Sequence, residues 1–207
     1  MMTNFDLSQK VFDFLKQADV QTVVVCAGAR NAPLVMALNQ TSFKVIQFFE
    51  ERSAAFFALG LIKSPGQPVA VFTTSGTAVA ELLPAAVEAT YQALPLIVVT
   101  ADRPKNYRGS GAPQTIEQVK IFSDYVESVY DLDVKEKEFS FSWSFKKPIQ
   151  LNVCFDEPLI DKASGLATQN VVLTKKSQAV TDLSMTVNPR QAFVIFGELS
   201  PDEAALG

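Results

Sequence analysis

Apolar and polar positions along the chain follow two periods, and each change of period marks an element. Val11, Phe12, Leu15 and Ala18 recur at helical spacing, which predicts an amphipathic helix over 5–18 with Ser8 as a plausible cap. Thr22–Cys26 is β-branched and apolar throughout, as a strand buried on both faces should be. It ends in Ala27-Gly28-Ala29-Arg30-Asn31-Ala32-Pro33. Glycine there permits a tight turn, and Pro33 suits the start of a short helix over 34–39. An alternating run over 43–48 predicts the next strand, and Glu51–Lys63 the next helix. A strand over 69–72 leads through Thr73-Thr74-Ser75-Gly76-Thr77 into a helix over 78–93, where Pro84 is placed to kink or restart it. A fourth strand over 96–100 ends in Ala101-Asp102-Arg103-Pro104. A polar loop over 105–114, a short helix over 115–122 and a strand over 125–132 follow.

Over 136–145, Phe139, Phe141, Trp143 and Phe145 alternate with serines, which argues for a strand; Phe139 and Trp143 would equally pair on a helix face. A strand over 149–153 closes this series. Residues 163–184 are polar and lack a clear period. The pattern divides the chain into an α/β domain over 1–162, a linker over 163–190 and the start of another domain over 191–207. That last part holds a strand over 191–196 and a helix opening at Ser200-Pro201. The stop at Gly207, barely a turn into that helix, reads as a fragment.

The alternation of strand and helix predicts an α/β fold: an open, doubly wound, mostly parallel sheet with helices on both faces. Right-handed crossovers bring the carboxyl ends of all parallel strands to one edge, where ligands bind in such sheets. Arg30, Phe48-Phe49-Glu50-Glu51-Arg52, Ser75-Gly76-Thr77 and Asp102-Arg103 therefore converge. Each has a plainer reading. The two acids can cap a helix and face its dipole, or one can exchange protons with a ligand. Arg30 can be a surface charge, and Asp102-Arg103 a structural pair. The small-residue loop can present amides and hydroxyls to a ligand, although no P-loop lysine follows it.

Composition narrows the chemistry. The 207 residues contain no histidine, which excludes Ser-His-Asp and Cys-His triads and histidine-bound metal within this chain. Cys26 and Cys154 both lie in strand-like runs and read as buried free thiols. A net charge of −4 provides no basic footprint for nucleic acid. No run is apolar enough for a membrane helix, and the first seven residues lack a signal-peptide pattern, so cytoplasmic residence is expected. No GxGxxG follows the first strand. Carboxylates, arginines, backbone amides or a cofactor must then carry the reaction.

An ordered set of motifs resembles the pyrimidine-binding domain of thiamine diphosphate enzymes. It comprises Glu51-Arg52, Ala58-Leu59-Gly60, Val69-Ala70-Val71, Thr74-Ser75-Gly76-Thr77-Ala78, the run from Leu96 to Pro104, Gln150-Leu151-Asn152 and Asp156-Glu157-Pro158-Leu159. The Gly28-to-Pro33 and Ala101-to-Pro104 runs are similar to those of the menaquinone-pathway family of 2-succinyl-5-enolpyruvyl-6-hydroxy-3-cyclohexene-1-carboxylate synthases. The resemblance covers roughly 11–159, plus 197–203, which is similar to the lead into that family's middle domain.

The resemblance implies a thiamine diphosphate-binding fold and a transferase. Such an enzyme decarboxylates 2-oxoglutarate and adds the remaining four-carbon unit to isochorismate. Glu51 matches the glutamate that bonds the cofactor's aminopyrimidine ring and promotes its proton-accepting tautomer. Ser75, Gly76 and Thr77 match the loop beside the pyrimidine. Arg30 and Arg103 match arginines near the dicarboxylate substrates, and Gln114 a glutamine close to both cofactor and substrate. Mg²⁺ (or manganese) and the diphosphate would be held by a Gly-Asp-Gly signature that this chain lacks, so this stretch alone is expected to be inactive. A homodimer is implied, because the two halves of each family site come from different subunits. Ala29 and Asn31 depart from serines common in the family, and Lys147 stands where a glycine usually precedes the proline matched by Pro148. Two other readings stay open: a different thiamine diphosphate enzyme, of the acetolactate synthase or 2-oxoacid decarboxylase type, and an α/β binding domain without catalysis.

Overall fold

The computed structural model describes residues 2–64, 66–136, 138–162 and 171–177. Met1–Lys176 form one unit and Ser177–Gly207 a second; all elements named below lie in the first. In chain order they are α1 (Asn4–Gln17), β1 (Thr22–Cys26), α2 (Ala32–Leu38), β2 (Lys44–Phe48), α3 (Glu51–Lys63), β3 (Val69–Thr73), α4 (Thr77–Ala80) and α5 (Leu83–Tyr91). After them come β4 (Leu96–Asp102), β5 (Val129–Asp133), β6 (Phe139–Trp143), β7 (Ile149–Cys154) and β8 (Val171–Lys175).

Six strands form one sheet in the order β2-β1-β3-β4-β7-β5, and every pairing in it is parallel. Period-two alternation sends successive side chains of each buried strand to opposite faces. Val23, Val25, Ala70, Phe72, Ile97, Val99, Leu151 and Val153 pack with Leu7, Val11, Phe12, Leu15 and Leu34 of α1 and α2. Val24, Cys26, Val69, Val71, Leu96 and Val98 pack with Ala54, Ala58, Ile62, Ala85 and Ala89 of α3 and α5. Helices thus cover both faces, as the doubly wound reading requires. Strand order runs one way from β1 to β2 and the other way from β1 to β3. The switch point lies between β1 and β3, where open α/β sheets bind their ligands.

Several boundaries differ from the pattern-based expectation, each for a physical reason. The cap of α1 is Thr3, not Ser8: Thr3 and Asp6 form a reciprocal capping box, and the Ser8 hydroxyl bonds back to the Asn4 carbonyl inside the helix. The helix expected over 78–93 is two, α4 and α5. Pro84 sits in the first turn of α5, where a missing N–H leaves no broken bond. The helix expected over 115–122 is replaced by 3₁₀ turns at Gln118–Lys120 and Ser123–Tyr125. Its start is broken at Glu117, whose ψ of 51° is not helical. The aromatic-serine alternation resolves as a strand: Phe139, Phe141 and Trp143 of β6 are buried, and the serines between them are not. β6 pairs in parallel with β8 in a separate two-stranded sheet. Part of the stretch expected as a linker is therefore a strand, fastened to α1 by Gln17, whose amide donates to Val171 O (2.8 Å) and accepts from Leu173 N (3.1 Å). Residues 163–170 and 178–190 of that stretch, and the strand and helix expected over 191–207, lie outside the described residues.

Candidate active site

The carboxyl end of β3 is the hub of the ligand edge. Four consecutive residues, Thr73 to Gly76, each meet a different part of it. The Thr73 hydroxyl donates to Glu51 Oε1 (3.4 Å). The Thr74 hydroxyl accepts the Arg30 N–H (3.3 Å). Ser75 meets Arg103 through its Oγ (3.5 Å to Nη1) and Gln114 through its carbonyl (3.4 Å from Nε2). The Gly76 N–H donates to Gln118 Oε1 (3.1 Å). Residues from the loop after β1, the start of α3 and the segment beyond β4 thereby gather on one short segment. Several of these bonds are at the long end of the ordinary range.

Two glycines make the gathering possible. A Cβ on Gly28 would lie 2.6 Å from Thr74 Cβ, so the loop after β1 can close onto the hub only without a side chain there. Gly76 has φ 81°, and a Cβ on it would press on Gln114 at 3.1 Å. Gln114 itself holds φ 55°, a conformation rare for a side-chain-bearing residue and common at ligand sites. Asn31, fully buried, clamps the first turn: its Oδ1 accepts from Gly28 N (2.8 Å), and its amide donates to Cys26 O (2.9 Å). A serine is too short to bridge both.

The two acids of the opening motif have different jobs. Glu50 is the N-cap of α3, accepting from Arg52 N (3.1 Å) and Ser53 N (2.7 Å), and also from the Ser53 hydroxyl. The hydrogen bonds from Ser53 hold its carboxyl below the usual range. Glu51, the first helical residue, is left out of the cap and sits half-buried beside Thr73. The two aromatics that precede the acids divide as well. Phe48 packs on Phe57 with ring centroids 4.9 Å apart, whereas Phe49 is fully exposed.

Arg30 is mostly buried and pairs with Glu157 (3.1 Å), a residue just beyond β7 that is itself largely exposed. Arg103 reaches Ser75 and the Gln114 carbonyl (3.4 Å). Thr77 opens α4 with an exposed side chain. Asp102 does not pair with the neighbouring guanidinium of Arg103. It accepts the Arg103 backbone N–H (2.8 Å), and its ion pair is with Arg108 (3.2 Å).

That last pair opens onto a partly buried hydrogen-bond network whose contacts no single motif contains. Arg108 forks onto Asp131 (2.8 and 2.7 Å). Asn152 donates to Asp102 (3.1 Å) and Asp131 (2.8 Å) and accepts from Thr100 (2.9 Å) and Gln118 (2.7 Å). Lys105 adds a bond to Glu136 (3.0 Å) and lies 3.7 Å from Asp131. The signal for it was parity. In β4, Thr100 and Asp102 continue the face of Leu96 and Val98; in the wholly buried β7, Gln150 lies beside Val98 and Asn152 beside Thr100 on that same face. Polar residues at one parity of a buried strand must find one another.

Both cysteines are buried and free. Burial, then the nearby Glu51 and Glu50 carboxylates, push the Cys26 thiol up to about 12, and burial followed by Asp131 and Asp102 raises Cys154 further. Neither is a nucleophile at neutral pH. Among the described residues, no cluster of acidic or sulfur ligands could hold a metal ion, and no helix is long and apolar enough to cross a membrane.

A parallel doubly wound sheet with this hub at its switch point defines a cofactor-binding α/β domain. Residues 5–121 match the family described as thiamine pyrophosphate enzyme, N-terminal TPP binding domain, and the chain belongs to that family. It is 63% identical over 162 residues to a 2-succinyl-5-enolpyruvyl-6-hydroxy-3-cyclohexene-1-carboxylate synthase of Bdellovibrio bacteriovorus, covering 77% of this chain and 31% of that protein. Proteins of the same description from Akkermansia muciniphila and Lysinibacillus sphaericus are similar as well. The first is 51% identical over 65% of this chain and 26% of its own length, the second 38% identical over 94% and 38%. The chain thus spans about a third of the length of these relatives.

Proposed function

We propose that this chain forms the pyrimidine-side half of the thiamine diphosphate site of a 2-succinyl-5-enolpyruvyl-6-hydroxy-3-cyclohexene-1-carboxylate synthase. The reaction would be decarboxylation of 2-oxoglutarate and conjugate addition of the four-carbon unit to isochorismate, in menaquinone biosynthesis. The observation that carries the reading is the gathering of Glu51, Arg30, Arg103 and Gln114 on Thr73–Gly76, in a chain so similar to proteins of that name.

The residues present suit the cofactor's pyrimidine. Glu51 is spared from capping by Glu50, so its carboxyl retains hydrogen-bonding capacity beyond the long contact with Thr73. Gly76 keeps the loop surface free of a side chain. Thiamine diphosphate, when bound, supplies the carbon nucleophile and the electron sink. Glu51 holds a proton against a pyrimidine ring nitrogen and so sets the ring's protonation state. Ser75, Gly76, Thr77 and Gln114 line the pyrimidine, with Gln114 also reaching the substrate. Arg30 and Arg103 take substrate carboxylates, for which guanidinium is suited by its planar fork of donors. Arg30 would exchange the largely exposed Glu157 carboxylate for one on the substrate, and that ion pair holds its guanidinium in place until then.

Mg²⁺ and the diphosphate are assigned to polypeptide beyond this chain, and a homodimer in the cytoplasm completes each site. This chain by itself is inactive on that view. The test is Glu51→Gln in a polypeptide of full family length that carries this chain. Loss of 2-oxoglutarate decarboxylation by about 10²–10⁴-fold is expected, because the amide cannot exchange the proton. Near-normal turnover would sink the assignment. Offering isochorismate against a second pyruvate separates this activity from that of an acetolactate synthase.

A further inference from the structure

We infer that Gln118 is a positioning residue for the cofactor loop, acting through the Gly76 N–H. This inference rests on the cofactor reading above and deepens it. Gln118 lies on the 3₁₀ turn Gln118–Lys120, off the hub, and its side chain is almost wholly buried. Both hydrogens of its Nε2 and one acceptor direction of its Oε1 are spent on fixed partners. Its Oε1 accepts the Gly76 N–H (3.1 Å), and its Nε2 donates to Ala101 O on β4 (3.0 Å) and to Asn152 Oδ1 on β7 (2.7 Å). The amide cannot turn over, because the flipped group would set N–H against N–H at Gly76 and oxygen against two acceptors.

Asn152 is just as constrained. Its Nδ2 is held by Asp102 and Asp131, and its Oδ1 also accepts from Thr100. Arg108 holds those two carboxylates in turn. An unbroken chain of hydrogen bonds runs from the Arg108 guanidinium through Asn152 and Gln118 to the backbone of the Ser75–Gly76 turn. The same Asp102 that anchors this chain accepts the Arg103 backbone N–H. The network therefore sets the cofactor loop and the start of the Arg103 segment against one frame. Gly76 needs such a tether. Its φ of 81° and ψ of −138° lie where the backbone is permissive, and no side chain of its own restrains it.

The experiment uses the full-length polypeptide that carries this chain, with Gln118→Met and Gln118→Glu. Thiamine diphosphate with Mg²⁺ is the probe. Affinity is read by calorimetry, and the pyrimidine's setting by near-ultraviolet circular dichroism of the bound cofactor. Gln118→Met is expected to weaken thiamine diphosphate binding about tenfold or more and to alter the cofactor's dichroism, since one buried N–H loses its acceptor. Gln118→Glu keeps an oxygen for Gly76 N–H, and when protonated it can also donate to Asn152. Its affinity relative to the unaltered protein should therefore recover as pH falls, a dependence absent from Gln118→Met. A purely structural filler would show no such recovery.

Unchanged affinity and dichroism in Gln118→Met overturns the inference. So does a Gln118→Glu protein that tracks Gln118→Met at every pH. If Gln118→Met does not fold, the recovery of Gln118→Glu against the unaltered protein decides alone. Failure of the unaltered protein to bind thiamine diphosphate would instead overturn the cofactor reading, and the positioning role with it.

Discussion

The two ends of the ligand edge are built on opposite plans. At the β4–β7–β5 end, acids and amides are locked together. Asn152 spends its amide on four partners, Arg108 joins Asp102 to Asp131, and Gln118 has a partner for its oxygen and two for its nitrogen. At the β1–β2 end, Glu51 has one long contact, β2 is an edge strand with no wholly buried residue, and Val45, Phe49, Phe56 and Phe57 are exposed. One end is a finished frame and the other keeps its chemistry unspent. Apart from Gln150 Oε1, which is buried without a partner, the side chains there are bonded to one another, and such a network resists displacement because each member fixes the next. A half-site must do the reverse and leave its acid with capacity for a ligand.

The sharpest way to break this contrast is to open the finished end. Asn152→Leu strands Asp102, Asp131, Thr100 and Gln118 together, and should cost about 3–5 kcal/mol of folding stability, read from urea unfolding. A cost under about 1 kcal/mol would mean that the network is not the frame. Arg108→Met should cost less, about 2–3 kcal/mol, since the guanidinium is partly exposed although Asp102 is not. Its signature lies in acid. Burial pulls the Asp131 carboxyl up, but the Arg108 hydrogen bonds, followed by that of Asn152, outweigh it and leave the folded value below the ordinary 3.8. An acid so lowered favours folding above that range, and its contribution is lost as pH falls through the folded value. Without Arg108, burial raises the carboxyl, so acid unfolding of Arg108→Met should begin at a higher pH than in the unaltered protein. Coincident acid transitions would show that Asp131 is held by something else.

The open end was the legible one in the sequence. Phe48 to Arg52, the Ser75-Gly76 loop and the Gly28 turn are contiguous motifs whose backbone demands a local reading detects. Of the two acids that could cap the helix, Glu50 takes the cap. The frame was hidden because its members are far apart in the chain. Arg108 meets Asp131 and Asn152 meets Asp102 only after the three parallel strands β4, β7 and β5 are set in order. Asp102-Arg103 read locally as a pair, yet consecutive residues on an extended segment point apart, and Asp102 turned inward to Arg108. The 3₁₀ turn at Gln118 escaped for the same reason. Local propensity over 115–122 favoured a helix, and the bonds that Gln118 makes to β4 and β7 come from tertiary structure. β8 is hard to see in the sequence because its burial is slight, with Val171 alone buried, and the stretch around it is polar.

The smallest effect tests the open side. Phe49 lies at the junction of β2 and α3 with its ring wholly exposed, next to the capping acid. Burying such a ring is worth about 1.5–3 kcal/mol, so leaving it in water forgoes that gain without adding to the stability of this domain. Phe49→Ser should therefore shift unfolding by no more than about 0.5 kcal/mol, as measured by urea titration of the chain alone. The cap should survive, because Glu50 bonds to the N–H groups of Arg52 and Ser53 and not to anything on Phe49. A loss of 1 kcal/mol or more would mean that the ring packs within the chain, and the open end would then be closed by its own residues. If stability is unchanged and solubility rises, the ring is apolar surface that this domain does not use for folding, as expected of an edge left open on the side where the Glu51 carboxyl has a single long contact.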